Sequence, residues 1–296
     1  MTRPLLVALS DHESLAASLC SAIGAEPCEL ELRRFPDGET YLRYITPVTE
    51  RTVILLSSLD RPDRKFLPLV FAAATARELG AEHVGLVAPY LPYMRQDRRF
   101  QPGESVTSAH FARLLSSHVD WVVTVDPHLH RRASLSEVYS IPSVIVHAAP
   151  LMSEWIRGHV MNPLIVGPDS ESAQWVAAVA DAAGAPQVVL EKVRRNDHEV
   201  EVTLPDMAHW RDRTPVLVDD IVSTGQTMIE TLGQLKLTGF AGAACVAIHG
   251  VFAGEAYQNL VAAGAARIAT SNTIPHVTNA IDVTELLAAG ILPLLA

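Results

Sequence analysis

The stretch from Pro215 to Thr227 reads Pro-Val-Leu-Val-Asp-Asp-Ile-Val-Ser-Thr-Gly-Gln-Thr, and it decides the fold of this chain. Its apolar run, Val216 to Val218, predicts a short buried parallel strand that ends in Asp219 and Asp220. Apolar residues recur at helical spacing after Thr227, so strand, loop and helix follow in series. The N–H groups at such a helix start form a ready anion site. Because carboxylates repel phosphate, the acid pair suits hydroxyl groups or a metal, and a phosphorylated sugar would satisfy both halves of the loop.

The same stretch also permits a plainer interpretation, in which the acid pair only ends a strand and the Ser-Thr pair only caps a helix. The bulk composition limits the choice of function. With 296 residues, 49% of them hydrophobic and 19% charged, the chain is long enough for two domains with sizeable cores. The net charge of −10 argues against a general nucleic-acid binder, because a polyanion would be repelled.

The three cysteines show neither a zinc-site spacing nor a disulfide framework, which suits a reducing compartment. We see no targeting signal and no apolar run long enough to span a membrane, so we expect a cytoplasmic protein. No Walker or Rossmann fingerprint occurs, so any ATP site must be built differently.

Apolar strand-like runs alternate with amphipathic helical stretches along the whole chain, which predicts an α/β fold with mostly parallel sheets flanked by helices. We place a domain boundary near His147, giving two similar domains, 1–147 and 148–296. The strand-like runs are Leu5 to Leu9, Thr52 to Leu56, Val84 to Ala88, Trp121 to Val125, Val144 to Val146, Leu164 to Val166, Val188 to Leu190, Val216 to Val218, Ala244 to Ile248 and Arg267 to Thr270. The helical stretches include Leu15 to Ile23, Leu67 to Leu79, Thr107 to Ser116, Ala173 to Ala183 and Ala256 to Ala263.

Ligands of doubly wound sheets gather at the carboxyl ends of the strands, so polar residues that follow the apolar runs are the candidates for a site. Asp126, His128 and Asp169 follow two of these runs and are candidate ligands of a divalent cation. The His-x-His pattern also resembles zinc sites, but no cysteine or third histidine joins it, and we favour phosphate-bound magnesium. A solvated histidine pair is the plainer alternative.

Lys192 and Arg194 alternate along a segment that we expect to be extended, which would place two cations on one face. Such a pair near a phosphate site would stabilise charge on a transferred phosphoryl group. Asn196-Asp197-His198 is typical of an exposed turn, and alternating residues follow it, so we predict a mobile β-hairpin flap. A charged edge strand that discourages aggregation would use the same residues.

Adenine recognition needs an aromatic face, a polar edge and counter-charges for the phosphates. The turn Phe35-Pro36-Asp37-Gly38-Glu39 and the pair Arg95-Gln96 could together supply all three. Each is unspecific by itself, since a Pro-Asp-Gly sequence is most often just a turn.

Read together, these pieces resemble the ribose-phosphate diphosphokinase family over nearly the whole chain, in its archaeal-like branch rather than the common bacterial one. The motifs that carry the resemblance are Arg34-Phe35-Pro36-Asp37-Gly38-Glu39, Tyr93-Met94-Arg95-Gln96-Asp97-Arg98, Val125-Asp126-Pro127-His128, Pro168-Asp169, Lys192 with Arg194, Asp219 to Thr227, and Ser271-Asn272-Thr273-Ile274-Pro275. The fold implied is a pair of similar phosphoribosyltransferase-type domains, with ATP on the side of the first and the ribose-phosphate loop in the second.

The resemblance implies a magnesium-dependent transfer of diphosphate from ATP to the 1-hydroxyl of ribose 5-phosphate, with release of AMP. It assigns Lys192 and Arg194 to catalysis, and Asp126, His128 and Asp169 to the metal. It assigns Phe35, Asp37, Gly38, Glu39, Arg95, Gln96, Asp97 and His128 to ATP. It assigns Asp219, Asp220, Ser223, Thr224, Gly225, Gln226 and Thr227 to ribose 5-phosphate. It also implies a homo-oligomer, either a dimer or a hexamer, in which the Phe35 turn reaches a neighbouring ATP site.

The sequence departs from the family pattern in three places. Ser170-Glu171-Ser172 stands where small residues are usual, Ser223 stands where an acid is common, and Gln226 replaces a small residue. These changes could alter the acceptor or weaken its binding. Two alternatives therefore stay open: a non-catalytic regulatory homologue, and a phosphoribosyltransferase, which would have no use for the adenine turn, the Arg95-Gln96 loop or the Lys192 flap.

Overall fold

A computed structural model of the chain describes residues 2–9, 12–168, 172–194, 200–203, 207–240 and 242–295. The chain divides into two compact units, the first formed by Met1–His147 with Val283–Ala296 and the second by Ala148–Asp282. Each unit has an α/β fold with a parallel sheet, as the alternating pattern predicts. All of the strand-like runs named above are strands, two with their predicted ends and the others with ends shifted by a few residues.

In the first unit, a six-stranded sheet has the order β2-β1-β5-β6-β7-β8 and every pairing in it is parallel. β3 and β4 form a separate antiparallel hairpin. The elements are β1 (Leu5–Ala8), α1 (Glu13–Ile23), β2 (Glu26–Pro27), β3 (Leu30–Arg34), β4 (Thr40–Tyr44), β5 (Thr52–Leu56), α2 (Pro62–Glu78), β6 (His83–Ala88), α3 (Thr107–Ser116), β7 (Trp121–Val125) and β8 (Ser143–Val146).

The second unit repeats this design, with a parallel sheet in the order β10-β9-β13-β14-β15-β16 and an antiparallel hairpin of β11 and β12. Strands and hairpin occur in the same sequence as in the first unit. The elements are α4 (Ala149–His159), β9 (Pro163–Gly167), α5 (Ala173–Ala183), β10 (Gln187–Val189), β11 (Glu191–Arg194), β12 (Val200–Thr203), β13 (Thr214–Val222), α6 (Gln226–Leu237), β14 (Ala244–Gly250), α7 (Ala256–Ala262), β15 (Arg267–Ser271) and β16 (Asn279–Ile281).

The last helix, α8 (Thr284–Ile291), corrects the division at 148–296, because it packs on α1, β7 and β8 of the first unit. Leu287 and Ile291 are fully buried there. Gly290 allows the close approach, since a Cβ atom at this position would lie 2.9 Å from a methyl group of Val146. An apolar face of α8 thus covers β7 and β8, the last two strands of the first sheet. This burial brings the end of the chain back to the first unit.

The core of each unit lies between its sheet and the flanking helices, and the central strands are buried on both faces. In β7 every residue from Trp121 to Val125 is buried, which is why the strands appear in the sequence as continuous apolar runs. Among the described residues, no helix combines the length and the apolar character needed to cross a bilayer.

Candidate active site

β13 lies at the centre of the second sheet, paired in parallel with β9 and β14, and it delivers the predicted sugar-phosphate residues. The strand is longer than the sequence pattern predicts, because Asp219 and Ile221 stay in register with Ala247 and His249 of β14. The two acids are therefore strand residues rather than the residues after it. Both are half-buried, and the Asp219 carboxylate accepts the backbone N–H of Asp220 at 2.9 Å.

The loop after β13 leads directly into α6, which begins at Gln226 with Gly225 as its N-cap. Gly225 has a φ of +71°, in the left-handed region that favours glycine. A Cβ atom there would also lie 3.3 Å from a methyl group of Leu260. The first helical bond inside α6 runs from the Ile229 N–H to the Gly225 carbonyl, so the preceding N–H groups point into the loop. This is the geometry of an anion site at a helix N-terminus.

Gln226 was expected to add bulk close to a bound sugar phosphate. Its side-chain amide instead donates a hydrogen bond to the Glu230 carboxylate, with 2.8 Å between Nε2 and Oε1, one turn further along α6. Both groups lie on the solvent side of the helix. The side chain is thus directed along α6 and away from its N-terminus.

The predicted flap begins as an antiparallel hairpin, in which Lys192 pairs with Val202 and Arg194 pairs with Val200. Its strands β11 and β12 lie in the chain between β10 and β13, the position that the β3–β4 hairpin occupies in the first unit. The expected turn at Asn196 to His198 lies outside the described residues, as does Asp169. The functions assigned to Lys192, Arg194 and Asp169 remain predictions.

In the first unit, Asp126 follows β7 with a φ of +30°, an uncommon conformation for a residue other than glycine. Its side chain is 9% exposed, and one carboxylate oxygen lies 2.7 Å from Nδ1 of His147, which follows β8. The hydrogen bond that this carboxylate accepts from the imidazole raises the pKa of His147 above its ordinary value, against a smaller opposing effect of burial. His147 therefore holds the carboxylate in place.

His128 lies in the loop after Asp126, and its ring contacts that of His130 with 4.1 Å between centroids. Magnesium takes oxygen ligands, keeps several waters and relies on substrate phosphates for much of its coordination. The Asp126 carboxylate and the His128 imidazole, in the first shell or through water, are groups that suit such an ion. His147 adds a third histidine beside Asp126, which the sequence analysis did not expect, so the choice of magnesium over zinc stays a prediction.

The predicted adenine turn forms the tip of the β3–β4 hairpin. The Phe35 N–H donates to the Glu39 carbonyl at 2.8 Å, and the Glu39 N–H donates to the Asp37 carboxylate. Gly38 has a φ of +93°, so glycine is required by the turn itself. Phe35 is 40% exposed, and the guanidinium of Arg33 lies 4.8 Å from its ring centroid. An exposed aromatic ring beside a cation is available to a planar ligand.

Arg95 and Gln96 are exposed in the segment after β6, whereas the side chain of their neighbour Asp97 is only 3% exposed. Asp97 accepts from Nη1 of Arg131 at 3.2 Å, and its backbone carbonyl accepts from Arg132 at the same distance. Its carboxylate therefore ties the Arg95-Gln96 segment to the loop after β7. We expect Asp97 to support ATP binding by holding Arg95 and Gln96 in position, rather than by contacting ATP itself.

Sequence reasoning missed His147, Arg131 and Arg132 as parts of the site. His147 follows β8 as Asp126 follows β7, so the rule that polar groups gather after parallel strands could have found it. No local pattern marks the two arginines, because their contacts with Asp97 span more than thirty positions of sequence.

The class of protein follows from this fold and loop. Residues 134–286 match a family model described as a phosphoribosyl transferase domain, and residues 5–118 match the N-terminal domain of ribose phosphate pyrophosphokinase. The structure also resembles the crystal structure of phosphoribosylpyrophosphate synthetase from Mycobacterium smegmatis, with a TM-score of 0.86, 24% identity and 99% of each chain covered. This likeness shows the shared fold.

Curated relatives show the particular family. The chain is 31% identical to the ribose-phosphate pyrophosphokinase of Methanothermobacter thermautotrophicus, covering 96% of this chain and 98% of the relative. It is 32% identical to that of Methanopyrus kandleri, covering 97% and 98%, and 32% identical to that of Sulfolobus acidocaldarius, covering 89% and 91%. The chain belongs to the ribose-phosphate pyrophosphokinase family. These relatives are archaeal, which confirms the predicted archaeal-like branch.

Proposed function

We propose that this chain transfers the diphosphoryl group of ATP to the 1-hydroxyl of ribose 5-phosphate, giving phosphoribosyl diphosphate and AMP. One observation carries the proposal: the half-buried acid pair lies in the last part of β13, and the loop that follows this strand opens onto the N-terminus of α6. Such a loop can bind the vicinal hydroxyls and the phosphate of one sugar phosphate together. Full-length relatives named for this reaction support the assignment.

In this reaction the 1-oxygen of the sugar attacks the β-phosphorus of ATP. The bond from the β-phosphorus to the oxygen bridging the α-phosphate breaks, AMP leaves with that oxygen, and the hydroxyl proton is lost. Negative charge builds on the transferred group and on the departing oxygen. Positioning and counter-charge therefore supply most of the catalysis.

Different residues of the chain neutralise the developing charge, orient the sugar and bind its phosphate. Lys192 and Arg194 neutralise the charge that develops during the transfer. Asp219 and Asp220 accept hydrogen bonds from the ribose hydroxyls and orient the attacking oxygen. The N–H groups at the start of α6, with the hydroxyls of Ser223, Thr224 and Thr227, bind the 5-phosphate.

Magnesium is the proposed cofactor, and His128, Asp126 and Asp169 are the residues that would hold it or its waters. When bound, it neutralises the β and γ oxygens of ATP and makes the β-phosphorus more electrophilic. The ion pair of Asp97 with Arg131 keeps the Arg95-Gln96 segment beside the loop that carries His128. Arg95 and Gln96 would then bind the nucleotide.

The test is AMP formation from ATP, magnesium and ribose 5-phosphate, with other pentose phosphates in parallel. Lys192→Ala should lower turnover by about a hundredfold or more while leaving ribose 5-phosphate affinity nearly unchanged, because it removes an interaction made in the transition state. Lys236→Ala is the matched control, since this lysine is exposed near the far end of α6. A Lys192→Ala enzyme with wild-type turnover would refute the catalytic assignment.

The acceptor panel separates the alternatives. AMP formed only with another pentose phosphate would mean that Ser170-Glu171-Ser172 or Ser223 has redirected the acceptor. No AMP with any sugar phosphate would favour a non-catalytic regulatory homologue of the family.

We also propose a homo-oligomer in which the turn at Phe35 completes the ATP site of a second copy. The 40% exposure of Phe35 at the tip of the β3–β4 hairpin supports this assignment. Sedimentation of the full chain at several concentrations would give the oligomeric state. A monomer with full activity would overturn this part of the proposal.

A further inference from the structure

The motif Ser271-Asn272-Thr273-Ile274-Pro275 has no assigned task, although its hydroxyl groups are fully buried at the carboxyl end of the second sheet. Ser271 Oγ donates to the Ile248 carbonyl at 2.7 Å, and Thr273 Oγ1 donates to the same carbonyl at 3.2 Å. Ile248 lies near the end of β14, the strand next to β13. The motif therefore fixes the point at which β14 leaves the sheet.

A buried histidine joins this network. His249 is 1% exposed, and its Nδ1 lies 2.9 Å from Thr273 Oγ1. The His249 carbonyl accepts the N–H of Val251 at 3.1 Å, which starts a tight turn after β14. Burial makes these bonds sensitive to substitution, because a polar atom that loses its partner inside the protein cannot turn to water instead.

The turn after β14 holds the proposed ribose-phosphate loop by two backbone hydrogen bonds. The N–H of Phe252 donates to the Val222 carbonyl at 3.0 Å, and the N–H of Ala253 donates to the Ser223 carbonyl at 2.9 Å. Phe252 adopts a φ of +42°, which an aromatic residue rarely does. Gly250 is needed beside it, because a Cβ atom there would lie 2.6 Å from the Phe252 ring.

The ring of Phe252 is held in turn by the segment that follows the motif. His276 lies 4.5 Å from Phe252 and 5.1 Å from Tyr257, between ring centroids. Tyr257 belongs to α7, whose residue Leu260 packs against Gly225. The same cluster thus contacts both sides of the loop, through Phe252 at its start and through α7 at Gly225.

We propose that Thr273, His249 and Phe252 are positioning residues that hold the ribose-phosphate loop in its binding conformation before the sugar phosphate arrives. The contacts run from Thr273 to His249, through the turn to Phe252, and then to the carbonyls of Val222 and Ser223. A loop held in this way loses less conformational freedom when the ligand binds, so its affinity is higher. This inference rests on the proposed function, because it takes ribose 5-phosphate as the ligand of the loop.

Thr273→Val tests the inference, since valine keeps the shape of threonine and removes the oxygen that His249 contacts. We expect the dissociation constant for ribose 5-phosphate, measured by calorimetry without ATP, to rise by about tenfold. The KM for ATP should stay within about twofold of wild type, because the effect is confined to one ligand. Thr273→Ser keeps the hydroxyl and should restore most of the affinity.

Ser153→Ala is the matched control. Ser153 is a fully buried hydroxyl of the same unit that donates to the carbonyls of Ala149 and Val179, far along the chain from the loop. It should destabilise the fold without a selective loss of ribose 5-phosphate affinity. If Thr273→Val does not fold, Phe252→Leu serves instead, because it keeps an apolar side chain and removes the ring contact with His276.

The outcomes separate this inference from the proposed function. A wild-type chain that forms no AMP from ribose 5-phosphate would defeat the proposed function. A wild type that forms AMP, together with a folded Thr273→Val or Phe252→Leu of unchanged ribose 5-phosphate affinity, would overturn the positioning role alone. An equal loss of affinity in Ser153→Ala would also overturn it, by showing that the effect follows general destabilisation.

Discussion

Replacing Gly225 by alanine tests the conformation of the proposed ribose-phosphate loop most directly. The residue has a φ of +71° as the N-cap of α6, and its missing side chain leaves room for Leu260. Alanine at this position must either accept the left-handed conformation or rotate away from it. Rotation would turn the first N–H groups of α6 away from the 5-phosphate, so the substitution should affect both stability and substrate affinity.

The positive φ and the contact with Leu260 together set how much Gly225→Ala destabilises the protein. The left-handed conformation costs an alanine about 1–2 kcal/mol. A reduced entropy of the unfolded chain offsets about 0.4–1 kcal/mol of that amount. The added Cβ atom would lie 3.3 Å from Leu260 Cδ1, a close contact that a movable side chain can relieve at small cost. We therefore expect a net loss of about 1 kcal/mol, or about 1.5–2 °C in Tm for a chain of this size.

Thermal unfolding and ribose 5-phosphate kinetics would measure the two effects. Gly225→Ala should raise the KM for ribose 5-phosphate by about tenfold or more, since about 1.4 kcal/mol of lost binding gives that factor. Gly233→Ala is the matched control, because this glycine lies inside α6 with open space around its Cα. There alanine should stabilise the protein by about 0.5–1 kcal/mol through its higher helix propensity, with no change in KM.

Gly225→Asn separates the effect of backbone conformation from the effect of the added Cβ atom beside Leu260. Asparagine tolerates a positive φ better than alanine but carries the same Cβ atom toward Leu260. If backbone conformation dominates, Gly225→Asn should retain more affinity than Gly225→Ala. Equal Tm and KM for wild type and Gly225→Ala would refute the reasoning, because they would show that the loop needs no left-handed residue.

Two further predictions concern side chains with defined partners. Gln226→Gly should leave the KM for ribose 5-phosphate within about twofold of wild type, because the side chain binds Glu230 and not the loop; a KM that falls markedly would show that Gln226 obstructs the acceptor. His147 should titrate above its ordinary pKa of 6.5 in NMR spectra recorded with a chelator, and Asp126→Asn should remove the shift. Because the folded-state pKa is raised, this contact stabilises the protein fully below that ordinary value and is lost as the pH rises through the folded pKa. An unshifted His147 would contradict the contact with Asp126.

The sequence predicted the sheets well because both are buried on two faces, so their strands stand out as apolar runs bounded by polar residues. Thr52–Leu56 and Trp121–Val125 were predicted with their observed ends. The β3 and β4 strands were not predicted, because this hairpin is only half-buried and polar or charged residues interrupt its apolar ones. The return of α8 to the first unit also escaped prediction, since it depends on which sheet is left uncovered and not on any local pattern.

In the site, too, features set by residues adjacent in sequence could be predicted, whereas features set by contacts between distant residues could not. The loop from Asp219 to Thr227 could be predicted because strand, glycine and helix start are adjacent in sequence. The direction of the Gln226 side chain could not, although its i,i+4 spacing to Glu230 permits the observed bond. The contact of Asp126 with His147 joins two strand ends, and only the strand order of the folded sheet brings those ends together.

The two units also show why a shared fold carries the proposed sugar-phosphate loop only once in the described structure. The connection from β5 to α2 corresponds to the loop from β13 to α6, but α2 begins with Pro62, which has no N–H to offer an anion. Lys65 lies in the first turn of α2, where it pairs with Asp60 and donates to the Ser58 carbonyl at 2.9 Å. The ammonium group of Lys65 therefore lies at the connection where an anion would otherwise bind. The end of β5 also lacks an acid pair that could bind sugar hydroxyls. The same strand, loop and helix thus stabilise the fold in the first unit and are available for binding in the second.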